Sequence, residues 1–293
     1  MSNQPDNEQL NTNTDTHTHT HELCTPDRIK NFGIKYQTDK VLHHEYNQYY
    51  DPILSKFYHT ENPGAMLEIG MLAGCSLKMW LDVFPRAFIY GLDINIEDRG
   101  ERYRIFKADQ SCPEQLQAVA NEIIQTKQHK QQMTLNPSDS NVSPSTLGAS
   151  DINKTCSTPL FFINDDGSHI PEHQLLTFNT LFPLLQEGGV YIIEDIETSY
   201  WTRGEIYGYE CKYGYQHPKS IVEIFKNTVD IINREFSTFG RANASRSTSG
   251  VNTDPTHAIK HHDSIDQVIF ARNCIIITKK TSMTRPYRFR NLL

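Results

Sequence analysis

Short apolar runs and helix-spaced apolar positions alternate along most of this chain. Ala65–Ile69, Ala87–Leu92, Tyr103–Ala108, Leu160–Ile163 and Val190–Ile193 are continuous enough to read as buried strands. Tyr46, Tyr50, Ile53, Leu54 and Phe57 recur at helical spacing, which predicts a helix over His44–Tyr58. Further helices are expected at Ser76–Val83, Pro113–Gln125, Glu172–Leu185 and Lys219–Glu235, with Gly188 and Gly189 closing the one from Glu172. Two last β runs, Gln267–Ala271 and Ile275–Lys279, flank Arg272–Asn273 and read as an antiparallel pair. Strands alternating with helices predict an α/β fold: a doubly wound, mostly parallel seven-stranded sheet that ends in an antiparallel hairpin.

Three tracts interrupt the pattern. Residues 1–25, with His17, His19 and His21, are too polar to offset the entropy of folding and read as a disordered tail. Residues 126–158 and 238–263, rich in Ser, Thr and Asn, read as disordered insertions in a single domain spanning 26–293. The net charge of −7, from 28 basic and 35 acidic residues, leaves no basic footprint for nucleic acid. No apolar run approaches a membrane span, and the N-terminus has no signal-peptide core. The six cysteines, at 24, 75, 112, 156, 211 and 274, form no metal-type pairs and read as reduced thiols of a cytoplasmic protein.

The informative polar residues stand where apolar runs end. Leu160–Ile163 leads into Asp165, Asp166, Gly167, Ser168 and His169, and Pro171 suits the first turn of a following helix. Val190–Ile193 leads into Glu194 and Asp195. If these strands are parallel neighbours, three carboxylates and an imidazole meet on the rim where open α/β sheets bind ligands. The simpler alternative is that Asp165 or Asp166 caps the next helix. Upstream, Gly70 and Gly74 bracket a tight turn between strand and helix, where small residues let a ligand approach backbone. The G-x-G-x-x-G spacing is absent, which counts against a nicotinamide-dependent oxidoreductase. Asp93 ends the second strand about twenty residues later, where a ribose-binding carboxylate belongs. Asp109 and Gln110 end the third. Residues 32–43, with Thr38, Asp39 and Lys40, read as a polar loop ahead of the first helix. Residues 198–216, dense in Tyr and Trp, are either packed on the core or a lid over a ligand.

With these residues the chain resembles the class I S-adenosylmethionine-dependent methyltransferases. The specific likeness is to the metal-dependent sugar O-methyltransferases of macrolide biosynthesis, the macrocin and mycinamicin type. It is carried by T-D-K at Thr38–Lys40, E-x-G-x-x-x-G at Glu68, Gly70 and Gly74, D-Q at Asp109–Gln110, D-D-G-S-H at Asp165–His169 and I-E-D at Ile193–Asp195. The resemblance implies a Rossmann-like methyltransferase fold. It implies S-adenosylmethionine held by Thr38, Glu68, Gly70, Gly74, Ser76, Asp93, Asp109, Gln110 and Asp166. It implies Mg²⁺ held by Asp166, Glu194 and Asp195, with His169 as general base. The implied reaction, in secondary-metabolite biosynthesis, moves a methyl group to a hydroxyl of a glycoside-like small molecule. Elementary chemistry agrees: a hard cation prefers oxygen ligands, acidifies a bound hydroxyl, and leaves a neutral histidine to take the proton. A homo-oligomer is compatible with this reading. A methyltransferase-like binding protein without turnover is the competing one.

Overall fold

The computed structural model describes residues 27–134, 160–233 and 259–282. The strands are β1 (Ala65–Ile69), β2 (Phe88–Asp93), β3 (Asp98–Arg99), β4 (Tyr103–Lys107), β5 (Leu160–Asp165), β6 (Leu185–Glu194), β7 (Glu205–Ile206), β8 (Tyr209–Glu210), β9 (Ile265–Ala271) and β10 (Cys274–Lys279). One sheet runs β3-β4-β2-β1-β5-β6-β10-β9, and β7 and β8 form a separate hairpin. The five central strands are parallel, and β10 and β9 close one edge antiparallel, as the pattern predicts. The eighth strand is the two-residue β3, too short to carry a hydrophobic signature. The chain moves outward from β1 through β2 to β4, then returns to β5 beside β1. That reversal makes a crevice at the carboxyl ends of β1 and β5, the place where open α/β sheets bind ligands.

The helices are α1 (Arg28–Tyr36), α2 (Asp39–Leu42), α3 (Asn47–Tyr58), α4 (Cys75–Val83), α5 (Pro113–Thr134), α6 (Pro171–Leu181) and α7 (Ile221–Ile232). Strand alternation splits their packing into two cores. Met66, Ile89, Phe162, Ile192 and Ile276 face Ile29, Tyr50, Leu54 and Trp80 of α1, α3 and α4. Leu67, Ile163, Tyr191, Ile193 and Ile275 face Leu116, Phe178 and Phe225 of α5, α6 and α7. Arg28 ties the first helix to the fourth by donating from Nε to Val83 O at 2.8 Å and from Nη2 to Asp82 O at 2.9 Å. Those carbonyls belong to the last turn of α4, which has no intrahelical donors for them.

Several expectations need correction. The loop expected at 32–43 is helical, as α1 and α2. α2 has 4 residues and no side-chain cap bond, so nothing local marks it, whereas α1 does carry Ile29, Phe32 and Tyr36 at helical spacing, a signal the loop reading passed over. The helix expected to run to Leu185 stops at Leu181 and gives way to a 3₁₀ turn over Phe182–Leu184, because Pro183 has no N–H for the helical ladder. Gly188 and Gly189 lie inside β6 and do not close that helix. The expected tail and most of both insertions lie outside the described residues. At their margins, α5 runs on to Thr134, and Ile259 is buried in the second of the two cores. No helix among the described residues is long and apolar enough to cross a membrane.

Candidate active site

Three neighbouring strands end in polar residues on the face covered by α1, α3 and α4. Glu68 of β1, Asn164 of β5 and Glu194 of β6 each continue the parity of an apolar residue two positions earlier, and Glu68 pairs in register with Asn164. All three are fully buried. Lys40 of α2 descends onto them. Its Nζ lies 2.5 Å from Asp166 Oδ2, 2.6 Å from Glu194 Oε2 and 3.3 Å from Glu68 Oε1, with the side chain 1% exposed. Tyr50 OH donates to Glu194 Oε1 at 2.5 Å, Asn164 Nδ2 donates to the same oxygen at 2.9 Å, and Ser76 Oγ donates to Glu68 Oε2 at 2.8 Å. Burial opposes charge on Lys40, but Asp166, Glu194 and Glu68 together raise its pKa well above 10.5. One ammonium cannot neutralise three carboxylates. Burial accordingly pushes Glu68 and Glu194 upward, whereas at Asp166 burial is outweighed by Lys40 and His169 and the pKa falls to about 2.

A second set of groups stands above this layer. His169 Nε2 lies 3.3 Å from Asp166 Oδ1 and 3.4 Å from Asp195 Oδ2, and its Nδ1 lies 3.4 Å from Glu197 Oε1. Burial opposes its charge, but hydrogen bonds to Asp166 and Glu197 and the charges of Asp166 and Asp195 push it up to about 11. Asp195 Oδ1 accepts from Tyr46 OH at 2.7 Å and from Asn273 Nδ2 at 2.6 Å. His169 (φ 58) and Asp195 (φ 49) are both in the left-handed region, where non-glycine residues seldom settle without compensation. Thr198 Oγ1 supplies one such tie, donating to His169 O at 2.5 Å. Ligand atoms of Asp166, His169 and Asp195 all lie within 4.8 Å of one another, the span of a metal site. Neither Asp165 nor Asp166 caps α6, whose N-cap is Ile170 with no side-chain cap bond.

A cavity of about 1180 Å³ opens over this cluster. Of the residues expected to hold a cofactor, Gly70, Asp93, Asp109, Gln110 and Asp166 line it. Asp93 takes three backbone N–H groups, from Met71 at 3.0 Å, Asn95 at 2.8 Å and Ile96 at 3.1 Å, which fixes its carboxylate at the cavity wall. Gly70, at φ +82, lies so close to the D-D-G-S-H turn that a Cβ would stand 1.9 Å from Asp166 O. Gln110 clamps that turn from the other side, donating to Asp165 Oδ1 at 2.7 Å and accepting from Ser168 N at 2.8 Å. Thr38, Glu68, Gly74 and Ser76 are not on the wall. Glu68 and Ser76 satisfy each other beneath it, and Thr38 is buried ahead of α2. Glu194 likewise sits one layer below Asp166 and Asp195, because Lys40, Tyr50 and Asn164 occupy its oxygens. Lys40, Tyr46, Tyr50, Glu197 and Asn273 are site residues that sequence reasoning did not assign. For Lys40 the T-D-K motif was the available signal; the aromatic pair Tyr46 and Tyr50 was visible only as helix spacing. From the aromatic segment, Ile206, Tyr207 and Tyr209 reach the cavity.

No family model matches the chain. L-olivosyl-oleandolide 3-O-methyltransferase of Streptomyces antibioticus is 30% identical over 229 residues, 74% of this chain and 48% of the relative. The 8-demethyl-8-alpha-L-rhamnosyl tetracenomycin-C 2'-O-methyltransferase of Streptomyces olivaceus is 29% identical over 182 residues, 59% of this chain and 39% of the relative. Demethylmacrocin O-methyltransferase of Streptomyces fradiae is 32% identical over 167 residues, 54% of this chain and 33% of the relative. This chain resembles the macrocin-type sugar O-methyltransferases. It spans less than half the length of these relatives. The fold is also that of the MycE methyltransferase from the mycinamycin biosynthetic pathway, solved with Mg, SAH and mycinamycin VI. The match has a TM-score of 0.60 at 22% identity and covers 89% of this chain and 57% of MycE. What the two structures share is the fold, a mostly parallel sheet with an antiparallel edge.

Two outcomes test the electrostatics. Replacing Lys40 with Met leaves the buried Glu68 and Glu194 beneath Asp166 with no cation among them, which is expected to cost about 3–5 kcal/mol near neutral pH. Burial already raises the pKa of Glu68 and Glu194, so protonation relieves their repulsion and the gap in thermal stability from wild type should narrow as pH is lowered from neutral. A gap independent of pH would contradict the assignment. Asp165, fully buried against Gln110 and Tyr191, is pushed up to about 7 chiefly by burial. Its contribution to stability is therefore complete below the unfolded value of 3.8 and is lost as pH rises through 7. Asp165→Asn should remove up to about 4 kcal/mol of that decline, and melting curves from pH 4 to 8 should be visibly flatter for the variant.

Proposed function

We propose that this chain is an S-adenosylmethionine-dependent O-methyltransferase that methylates a hydroxyl of a glycoside-like small molecule with the help of Mg²⁺. The observation that carries this reading is the cluster of Asp166, His169 and Asp195 on the floor of a cavity whose wall is the glycine turn and Asp93. The sugar O-methyltransferases among its relatives support the acceptor class.

The donor set fits a hard divalent cation. Asp166 Oδ1 and Asp195 Oδ2 both point at one spot now faced by His169 Nε2, and two carboxylate oxygens on an open cavity are what Mg²⁺ takes while keeping positions for substrate. Asp166 and Asp195 would hold it; Glu194 supports them from below through Lys40. When bound, Mg²⁺ would supply the charge that eases deprotonation of an acceptor hydroxyl, and S-adenosylmethionine would supply the electrophilic methyl group.

The chain's own residues do the rest. Asp93, oriented by three backbone N–H groups, accepts hydrogen bonds from the ribose hydroxyls. Gly70 lets the turn that carries Asp166 pack against the end of β1 at the cavity wall. His169 receives the proton at Nε2 as the hydroxyl oxygen attacks carbon and the carbon–sulfur bond breaks. Its present partners favour the imidazolium, the wrong form for a base. A cation on Asp166 and Asp195 would offset their share of that effect and leave Glu197 to orient the ring through Nδ1.

The test is incubation of the chain with labelled S-adenosylmethionine, Mg²⁺ and a panel of glycosides. Label should pass to at least one glycoside, stop with EDTA and resume with Mg²⁺. His169→Ala should slow turnover about 10²–10⁴-fold with cofactor affinity unchanged. Transfer that ignores EDTA, or a fully active His169→Ala enzyme, would overturn the assigned roles. Asp93→Ala should weaken cofactor binding in calorimetry by about 1.5–3 kcal/mol, the worth of a charge-assisted hydrogen bond. A binding protein without turnover would show the calorimetric effect and no label transfer.

A further inference from the structure

The β7–β8 hairpin is joined by Tyr207 and Gly208, and Ile206 pairs with Tyr209 across it. Both turn residues have positive φ, 52 for Tyr207 and 81 for Gly208. That is the pattern of a two-residue type I′ turn, whose first position is normally Asn, Asp or Gly because a Cβ is strained there. A tyrosine is about the least suitable choice for the backbone. Nothing in its packing compensates: Tyr207 is 69% exposed, the most exposed tyrosine among the described residues. Its ring nevertheless lines the cavity and meets His169 edge-on, with centroids 5.5 Å apart and planes at 76°.

We propose that Tyr207 is the acceptor-binding platform, its exposed ring face taking the apolar face of a pyranose ring and presenting a hydroxyl toward His169. The inference rests on the glycoside methyltransferase reading and adds a specificity residue to it. An aromatic face offers a sugar's C–H groups dispersion contact without asking for a hydrogen-bond partner, and a flat ring standing on end beside the base sets the distance between sugar plane and imidazole. A stable fold gains nothing from a strained, exposed ring at this turn. A bound sugar covers it.

Three chains separate this role from a structural one: wild type, Tyr207→Phe and Tyr207→Asn. Each is titrated with methyl α-L-rhamnopyranoside in Mg²⁺, with and without S-adenosylhomocysteine, followed by ligand-observed NMR. Tyr207→Phe keeps the ring and should bind the rhamnoside within about twofold of wild type. Tyr207→Asn suits the turn better, so its melting temperature should match or exceed wild type while rhamnoside affinity falls about tenfold. Equal rhamnoside binding by wild type and Tyr207→Asn overturns the proposal. So does a wild type that binds no rhamnoside, or a lower melting temperature for Tyr207→Asn, which would mark the ring as a packing residue. Calorimetry with S-adenosylhomocysteine reports separately on the methyltransferase reading: its failure in all three chains would remove that reading, while the Mg²⁺-only titration still decides the role of Tyr207.

Discussion

Lys40 Nζ stands 2.5 to 3.3 Å from Asp166, Glu194 and Glu68, with its side chain 1% exposed. Burying an ammonium is costly, and it becomes tolerable only when carboxylates surround it with good geometry. The converse holds with more force here. Glu68 and Glu194, fully buried at the ends of β1 and β6, could not lie beneath Asp166 without a cation among the three. The lysine thus decides which oxygen of Asp166 is left for the cavity. Oδ2 goes to Lys40, and Oδ1 is left facing His169.

Strand parity decides which polar residues work below the site and which work at its surface. Asp165 and Asp166 are neighbours in sequence but point into different surroundings. Asp165 follows Ile163 into the core under α5 and α6, where Gln110 and Tyr191 hold it. Asp166, just past the strand, turns toward Lys40 and His169. Glu194 and Asp195 divide in the same way. Glu194 completes β6 and joins the buried layer, while Asp195 leaves the strand at positive φ and faces the cavity. In both pairs the first acid is buried in the architecture and the second lines the cavity.

This division explains what could be read from the chain alone. The parallel strands, the hairpin at the edge and the meeting of D-D-G-S-H with I-E-D follow from apolar runs and their polar ends, because burial imposes those patterns locally. The layering within the cluster does not. Whether Glu194 faces a ligand or Lys40 depends on α2, a four-residue helix far away in sequence, whose placement comes from packing against α1. The T-D-K motif marks Lys40 in the sequence, but its partners are not known until that packing is known. Tyr46 and Tyr50 are similar: helical spacing marks their rings as core, and only the fold reveals that their hydroxyls reach Asp195 and Glu194.

Backbone strain follows the same boundary between architecture and cavity. Of the eight non-glycine residues with positive φ among those described, Leu72, His169, Asp195, Tyr207 and Asn273 line the cavity. Each such residue costs about 1–3 kcal/mol and persists only where its surroundings over-determine it. His169 is held through its carbonyl by Thr198, Asp195 by Tyr46 and Asn273, and Asn273 by its own bonds to Asp195 and Tyr46. For these three, strain is the cost of aiming a side chain, and hydrogen bonds formed in the folded chain offset it. Tyr207 has only an edge contact with His169 to set against the same cost. Leu72, at φ 41 and 82% exposed, lines the same cavity, so the strain that hydrogen bonds leave unrelieved gathers where the chain faces open space rather than its own core.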